Sequence, residues 1–580
     1  MDIYTVTIGI SILVYIAIGN YAGRGVKQLD DYYVAGRRAP TLVIVGTLVA
    51  SLMSSTIFLG EAGFAYAGQA GPYVLWPQIT CMGYVLGAVL FGRYLRRSRA
   101  STVAEFFGKR FCSSRVQALA GVTIILSLGG YLLAVTQGAS LLLSQLTDLN
   151  YVQALVVAWL SYTVFTMYSG SRGVVLTDTL MFLVFTGATI AAIVWLVTSF
   201  GGLPSVVERL VDVEEKADMM SWHGIIGDGT PWPTAVDYLI WGFTIDISWA
   251  IVYAVSPWQA SRHLMAKNEH VVLRAACVTC VVVALLQVMI YGLGGMINLG
   301  KSDIDPAESA TIWASLNLLP PLLGAILLAG IMAAALSSAS TFLSLVGFSA
   351  SNDMGIHHGG SEKRALRFSR LMMLVIGLVA LVAALVFPPD IFWLMLFIGT
   401  VFASSWGPVA LMSIWSPRIT EAAAFWGMLA GLVFNVVPKF IEFIGLVVFP
   451  SYLNPVLIGA VASLLVTIAV SRNTQVTESE AEYLRKLHET PPEEVDTKSK
   501  NTTLWAGRFI IANGLVMPFV LLAWYVRPYQ SATGTLHPDG SINWLTGEAL
   551  VALSWGLFYL GLGVLATRAV SRSYSPVTRQ

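Results

Sequence analysis

Apolar runs of about 20 residues recur along the whole chain, and few of them carry a charge. No other feature limits the fold as strongly. A hydrocarbon layer about 30 Å thick is crossed by a helix of roughly 20 apolar residues. Inside it every backbone N–H and C=O must be satisfied without water. With that ruler the sequence holds about fifteen candidate spans: 3–23, 41–66, 73–94, 116–146, 151–168, 172–200, 235–257, 271–298, 320–349, 364–387, 390–415, 420–446, 453–471, 505–527 and 546–568. An all-α polytopic membrane protein is predicted. Only 12% of the 580 residues are charged, about half the share usual in a soluble domain. Lys plus Arg (34) nearly balance Asp plus Glu (33), and there are four cysteines. A basic nucleic-acid binder, an acidic disordered chain and a disulfide-framed secreted domain are thereby excluded.

The distribution of basic residues orients the spans. Loops after odd-numbered spans hold 29 of the 34, leaving Arg209, Lys216, Lys301, Lys439 and Arg527 for the other side. Positive charge marks the cytoplasmic side. The expectation is a multi-pass protein of the plasma membrane, N-terminus outside and C-terminus inside. The first span lacks a basic leader, so it reads as a retained helix rather than a cleaved signal. The chain divides into an extra helix and loop (1–40), two halves (41–200 and 235–415) joined by an acidic outside loop (201–234), and further spans at 416–471. A charged cytoplasmic linker (472–504), with a short helix near 478–488, leads to two added spans and a tail (505–580).

Four carboxylates sit where lipid-soluble helices are expected: Glu61, Asp178, Asp246 and, at a span end, Asp353. Such groups are functional candidates, because an unpaired charge in hydrocarbon is expensive. No Arg or Lys occupies an obvious mid-span position, Lys439 being the nearest. The interior therefore calls for a cation: a metal ion, a proton or a charged substrate. The alternative is a protonated or hydrogen-bonded structural acid. In the ninth span Ser337, Ser340 and Thr341 share one helix face, with Ser338 about 100° away. They read either as close-packing residues or as an oxygen cage for sodium. In the second span Ala50 to Thr56 places four hydroxyl residues at mid-membrane, followed by Gly60, Gly63 and Gly68. A helix broken there would offer carbonyls to a cation. A second break is expected at Gly242 to Ser248, five spans later. That offset fits two inverted five-helix repeats with the binding site between their first members.

At this point the residues resemble the sodium:solute symporter family, over roughly 3–470. Asp30-Asp31-Tyr32-Tyr33-Val34-Ala35-Gly36-Arg37 is similar to its D-[FY]-[FYW]-[LV]-A-G-R. Ala50 to Gly60 resembles A-S-x-x-S-x-x-x-x-x-G, and Ser169 to Asp178 resembles G-G-x-x-A-V-x-x-T-D. Pro257 through Arg262 to Lys267, Ala333 to Ser338, and Trp415 to Arg418 match three further strings in family order. The resemblance implies the leucine-transporter fold of five-plus-five inverted repeats. It also implies a first sodium position at the carbonyls of Ala50, Met53 and Ala334 with the hydroxyls of Ser337 and Ser338. A second is implied at Asp178, Ser337, Ser340 and Thr341. Solute-facing positions would be Ser54, Ser55, Thr56, Gln78, Tyr131, Gln137, Trp241, Thr244, Asp246, Trp249, Ser404 and Ser405. Leu52 stands where several members have Asn or Asp, and Met181 where Gln is frequent.

The implied activity is sodium-coupled symport of a small organic solute by alternating access, with no enzymatic step and no nucleic acid. Glu61 and Asp246 favour an amine-bearing solute such as an amino acid, aided by cation–π attraction to Trp241 or Trp249. No Arg is visible in the pocket helices for a carboxylate. A sugar read by Gln78 and Gln137, or a monocarboxylate, stays open, as do oligomeric state, stoichiometry and protons in place of sodium. A membrane sensor signalling through 472–580 is the other class. His357-His358 and Cys277-x-x-Cys280 lack partners at metal-site spacing and read as structural.

Overall fold

The computed structural model describes residues 2–26, 28–354, 362–387 and 391–575. His357, His358 and Asp390 lie outside them. Among the described residues, thirteen helices are long and apolar enough to cross a membrane, a bent pair makes a fourteenth, and a shorter apolar helix covers Tyr151–Val164. In chain order the principal helices, spanning and short, are α1 (Ile3–Gly23), the bent pair α2 (Thr41–Leu52) and α3 (Thr56–Gln69), α4 (Gly71–Arg97), α5 (Ser114–Leu146) and α6 (Tyr151–Ser199). After the loop 201–234 come α7 (Ala235–Val255), α8 (Pro257–Met265), α9 (Glu269–Ile297), α10 (Pro321–Phe348), α11 (Glu362–Val386), α12 (Ile391–Ser405) and α13 (Gly407–Trp415). The last are α14 (Glu421–Phe443), α15 (Pro455–Asn473), α16 (Glu478–His488), α17 (Thr497–Leu521) and α18 (Gly547–Ser573).

Burial sorts these helices by solvent. Aliphatic and aromatic side chains such as Leu13, Val379, Phe440, Leu465 and Phe519 stand exposed on α1, α11, α14, α15 and α17. By contrast α2, α7 and α10 are buried, and α10 hides every residue from Leu327 to Phe348. Small residues allow the close approach: a Cβ at Gly83 or Gly87 of α4 would collide with the backbone of Ala250 or Ala254 on α7.

The breaks have local causes. α2 ends at Leu52, Met53 turns extended (φ −67°, ψ 95°), and the chain bends by 53° into α3. The Ser54 hydroxyl takes the backbone N–H of Thr56 (3.2 Å), so a side chain replaces the helical ladder at the new N-terminus. The second break is not at Gly242 to Ser248, where α7 runs unbroken. It falls at Ser256 (φ −62°, ψ 146°), directly before Pro257. Proline has no N–H to continue α7, forces its predecessor extended and starts α8 at its first position. The two spans expected at 151–168 and 172–200 form one stretch interrupted at Gly170 (φ 53°, ψ −150°), against which Tyr32 packs.

The C-terminal segment is part of the body. Helix α16 lies across one face, where Arg97 donates to the Leu487 carbonyl (3.0 Å), Arg110 to the Glu480 carbonyl (3.3 Å), and the Glu480 carboxylate accepts from the Glu421 N–H (2.8 Å). Arg110 is buried there, which lowers its guanidinium to about 10. α17 and α18 pair and rest on α9 and α4.

Candidate functional site

Two groups of the expected residues meet in the core, and several leave it. Ser338 donates to the carbonyls of Ala50 (3.4 Å) and Ser51 (3.3 Å) at the end of α2. Met53 is the residue at the break, and Ala334 lies buried one turn before Ser338. Thus α10 presents an oxygen to a helix terminus whose carbonyls have no following turn to bond. Ser337 does not join them. Its hydroxyl donates to Asp178 Oδ1 at 2.6 Å.

Asp178 is not the unpaired interior acid expected from the sequence. Thr47 donates to Oδ2 (2.5 Å), and Arg262 Nη2 stands 3.5 Å from the same oxygen. Arg262 also donates to the Thr341 hydroxyl (2.6 Å) and to Ser261. By sequence Arg262 counted among surface charges. Here it is 1% exposed, because the break at Ser256 carries α8 into the protein. Ser340 donates to the Ser337 carbonyl on its own helix (2.8 Å). Asp353 is likewise satisfied, accepting from Thr102, Gln117, Asn352 and Ser349 at 2.7–2.9 Å. Lys439 pairs with Glu442 at 2.7 Å.

The remaining acids share a small cavity of about 20 Å³, the size of a water or two, lined by Glu61, Trp76, Thr80, Asp246, Trp249, Tyr253, Gln287 and Tyr291 among others. Tyr291 donates to Glu61, and Gln287 to Tyr291 (2.9 Å). Asp246 is fully buried, and neither of its oxygens has a partner among the described residues. Among the described residues, an orphaned carboxylate beside aromatic rings is a strong chemical demand.

Aromatic layers pack on both sides of the cavity, and through Ile245 and Leu396 it adjoins a larger one of about 590 Å³ lined by Trp232, Trp241 and Trp393. Toward the 201–234 loop, Phe64 stacks on Phe392 (4.2 Å), Trp76 meets Trp241 (5.4 Å) and Trp232 meets Trp241 (4.7 Å). Toward the other face, Tyr131 stacks on Phe342 (4.4 Å) and meets Trp258 edge-on (5.6 Å).

Several expected solute contacts lie elsewhere. Gln78 donates to the Val551 carbonyl (3.0 Å) and accepts from Ser554 (2.7 Å), so it fastens α18 to α4. Gln137 donates to the Phe387 carbonyl beyond α11 (3.0 Å). Ser55 donates to the Val135 carbonyl (3.1 Å), and Ser54 pairs with Thr56. Thr244 accepts on its carbonyl from Ser248 (2.6 Å). Ser404 and Ser405 hydrogen-bond within α12 and to the Met428 carbonyl. Trp241 belongs to the roof, not the cavity. Gln287 and Tyr291 were missed, although their spacing of four marks a polar stripe on the apolar C-terminal half of α9.

A family model described as the sodium:solute symporter family matches residues 32–431. A sodium/pantothenate symporter of Haemophilus influenzae is 25% identical over 418 residues, covering 70% of this chain and 83% of that protein. A sodium/proline symporter of Escherichia coli is 24% identical over 460 residues, covering 76% and 88%. Among solved structures, an outward-open Na+-coupled sialic acid symporter superposes with a TM-score of 0.68 at 17% identity, over 83% of this chain and 99% of that one. A nucleobase-cation-symport-1 transporter follows at 0.51 and 14%, over 78% and 98%. The fold is of the leucine-transporter type.

Proposed function

The chain belongs to the sodium:solute symporter family and is a sodium-coupled symporter of a small organic solute; we propose that this solute bears an amine, held against Asp246. The observation that carries the reading is the pair of orphaned Asp246 oxygens beside a small cavity lined with Trp76, Trp249 and Tyr253. A cationic nitrogen would satisfy the carboxylate and lie against ring faces. The curated relatives include proline symporters, and proline is an amine-bearing solute. A sugar is less well served, since Gln78 is spent on Val551 and Ser554 and the Gln137 amide nitrogen donates to the Phe387 carbonyl. A monocarboxylate finds no Arg in the cavity lining.

The sodium ion is assigned to the Ala50, Met53 and Ala334 carbonyls with the Ser338 hydroxyl, supported by the meeting of Ser338 with the broken end of α2. Sodium there ties α2 to α10. Coupling follows from the different affinities of the outward- and inward-open states for ion and solute. An inside-negative potential adds about 2.3 kcal/mol per charge per 100 mV. The repeats are assigned to 41–200 and 235–415, each opening on a broken helix. Orientation is assigned with the N-terminus outside and the C-terminus inside, in the plasma membrane, on the strength of the basic loops. A sensor output through 472–580 is disfavoured by the docking of α16, α17 and α18 on the transport body.

The test is uptake into proteoliposomes under a sodium gradient, with labelled proline, other amino acids, primary amines, a hexose, pantothenate and a monocarboxylate. Sodium-dependent accumulation of an amine-bearing member supports the reading. Accumulation confined to the hexose or the monocarboxylate overturns it.

A further inference from the structure

Helices α2, α6, α8 and α10 converge on one buried cluster that sodium coupling through Ser338 does not use. Asp178 stands at its centre, with Thr47 and Ser337 donating to its two oxygens and Arg262 beside it. Resemblance had assigned Asp178, Ser337, Ser340 and Thr341 to a second sodium ion. In the fold a guanidinium lies among them. We propose that Arg262 is a resident cation that takes the place of a second sodium, so that the chain binds and carries one sodium ion per cycle. The inference rests on sodium coupling but not on the identity of the solute.

Three observations carry it. The first is occupancy: one Arg262 nitrogen contacts both the Asp178 carboxylate (3.5 Å) and the Thr341 hydroxyl (2.6 Å), two of the four prospective ligands. A third ligand, Ser340, turns its hydroxyl to its own helix. The second is charge. Asp178 is fully buried and Arg262 is 1% exposed, so the pair is neutral in a dry interior. A further cation would leave an unbalanced positive charge. The guanidinium already compensates Asp178, so the pair offers a further cation no net attraction. The third is anchorage. Arg262 sits on α8, and the strand-like pairing of Ala39 with Met265 and Lys267 (3.1 and 3.0 Å) pins the end of that helix to the segment entering α2. The guanidinium is thus delivered by the backbone rather than by a mobile loop, and it links α8 to α6 and α10 as a bound ion would.

The test counts sodium directly, without any solute, by equilibrium binding of radioactive sodium to the full chain in lipid nanodiscs. One saturable ion per wild-type protein is expected, with a Hill coefficient of one, and Asp178→Asn should still bind one. Arg262→Gln should gain a second ion, and the double variant Arg262→Gln/Asp178→Asn should lose it again. Arg262→Lys, which keeps the charge, should stay at one. Two ions on the wild type, one of them lost in Asp178→Asn, would overturn the proposal. So would a folded Arg262→Gln, verified by gel filtration, that binds one ion only. If Arg262→Gln does not fold, the wild-type and Asp178→Asn counts decide alone. A wild-type count of zero would overturn sodium coupling itself, which separates that failure from this one.

Discussion

Replacing Asp246 by Asn separates the proposed solute site from a merely structural acid, because the two readings give opposite signs. Asp246 is fully buried beside a cavity of about 20 Å³, so no bulk water screens it. The relevant scale is therefore that of a buried pair broken on one side, about 3–5 kcal/mol, and not the 0–1 kcal/mol of an exposed pair. That corresponds to a loss of roughly two to nearly four orders of magnitude in affinity for an amine. The lower end is expected, since the amide carbonyl still accepts a neutral-strength hydrogen bond. In the empty protein the sign reverses. An orphaned buried polar group is destabilising by about 1–3 kcal/mol, and the amide relieves the burden of a charge. The Asp246→Asn variant should unfold at a higher temperature without solute and lose most of the stabilisation that solute confers. Concentration dependence of sodium-driven uptake and thermal unfolding with and without solute measure both halves. Wild-type affinity for the amine, or a less stable empty protein, would refute the reasoning.

Other outcomes follow from the same contacts. Ser338→Ala should raise the sodium concentration needed for half-maximal uptake by about tenfold or more, one lost oxygen ligand, and leave solute preference unchanged; sodium titration of uptake checks this. Gln78→Ala should leave solute affinity intact and lower stability by about 1–2 kcal/mol, because it breaks the tie to Val551 and Ser554; a denaturation curve beside an uptake curve decides. Lys216, in the 201–234 loop, donates to the Tyr66 carbonyl at the end of α3 and to Asn298 (2.8 and 2.7 Å), and burial lowers its ammonium to about 8. Between about pH 8 and the ordinary 10.5 the unfolded chain holds a proton that the folded chain has released, so this residue makes stability rise with pH across that window. Thermal unfolding of the wild type relative to Lys216→Arg should show that slope, and a parallel pair of curves would contradict it.

The helices and the breaks were unequally legible. Spans follow from composition along one dimension, so the apolar runs located most of them to within a few residues, while the one expected at 505–527 extends over Thr497–Ala532. The hydroxyl run at Ser54 to Thr56 and the proline at 257 are local signals, and each marks a break. The second was nonetheless misplaced, at Gly242 to Ser248, because glycine and small polar residues in a tightly packed span also serve helix contact. α4 and α7 meet in that way at Gly83 and Gly87. Asp246 was legible as a charge in lipid, and its oxygens remain without a partner among the described residues. Asp178 looked the same in sequence and is not.

The amino-acid sequence by itself determined that this chain lies in a membrane, which segments cross it, and that few of its 33 acids fall within those segments. These properties depend on the transfer of each segment from water to hydrocarbon, which needs no knowledge of neighbours. The tertiary structure decided which acid is left unsatisfied, that Gln78 and Gln137 serve as fasteners, and that Arg262 reaches Asp178 from 84 positions away. Pairing of buried polar groups is a property of helices brought together across the bundle. Nothing in the spacing of residues along one helix specifies which partner the next will supply.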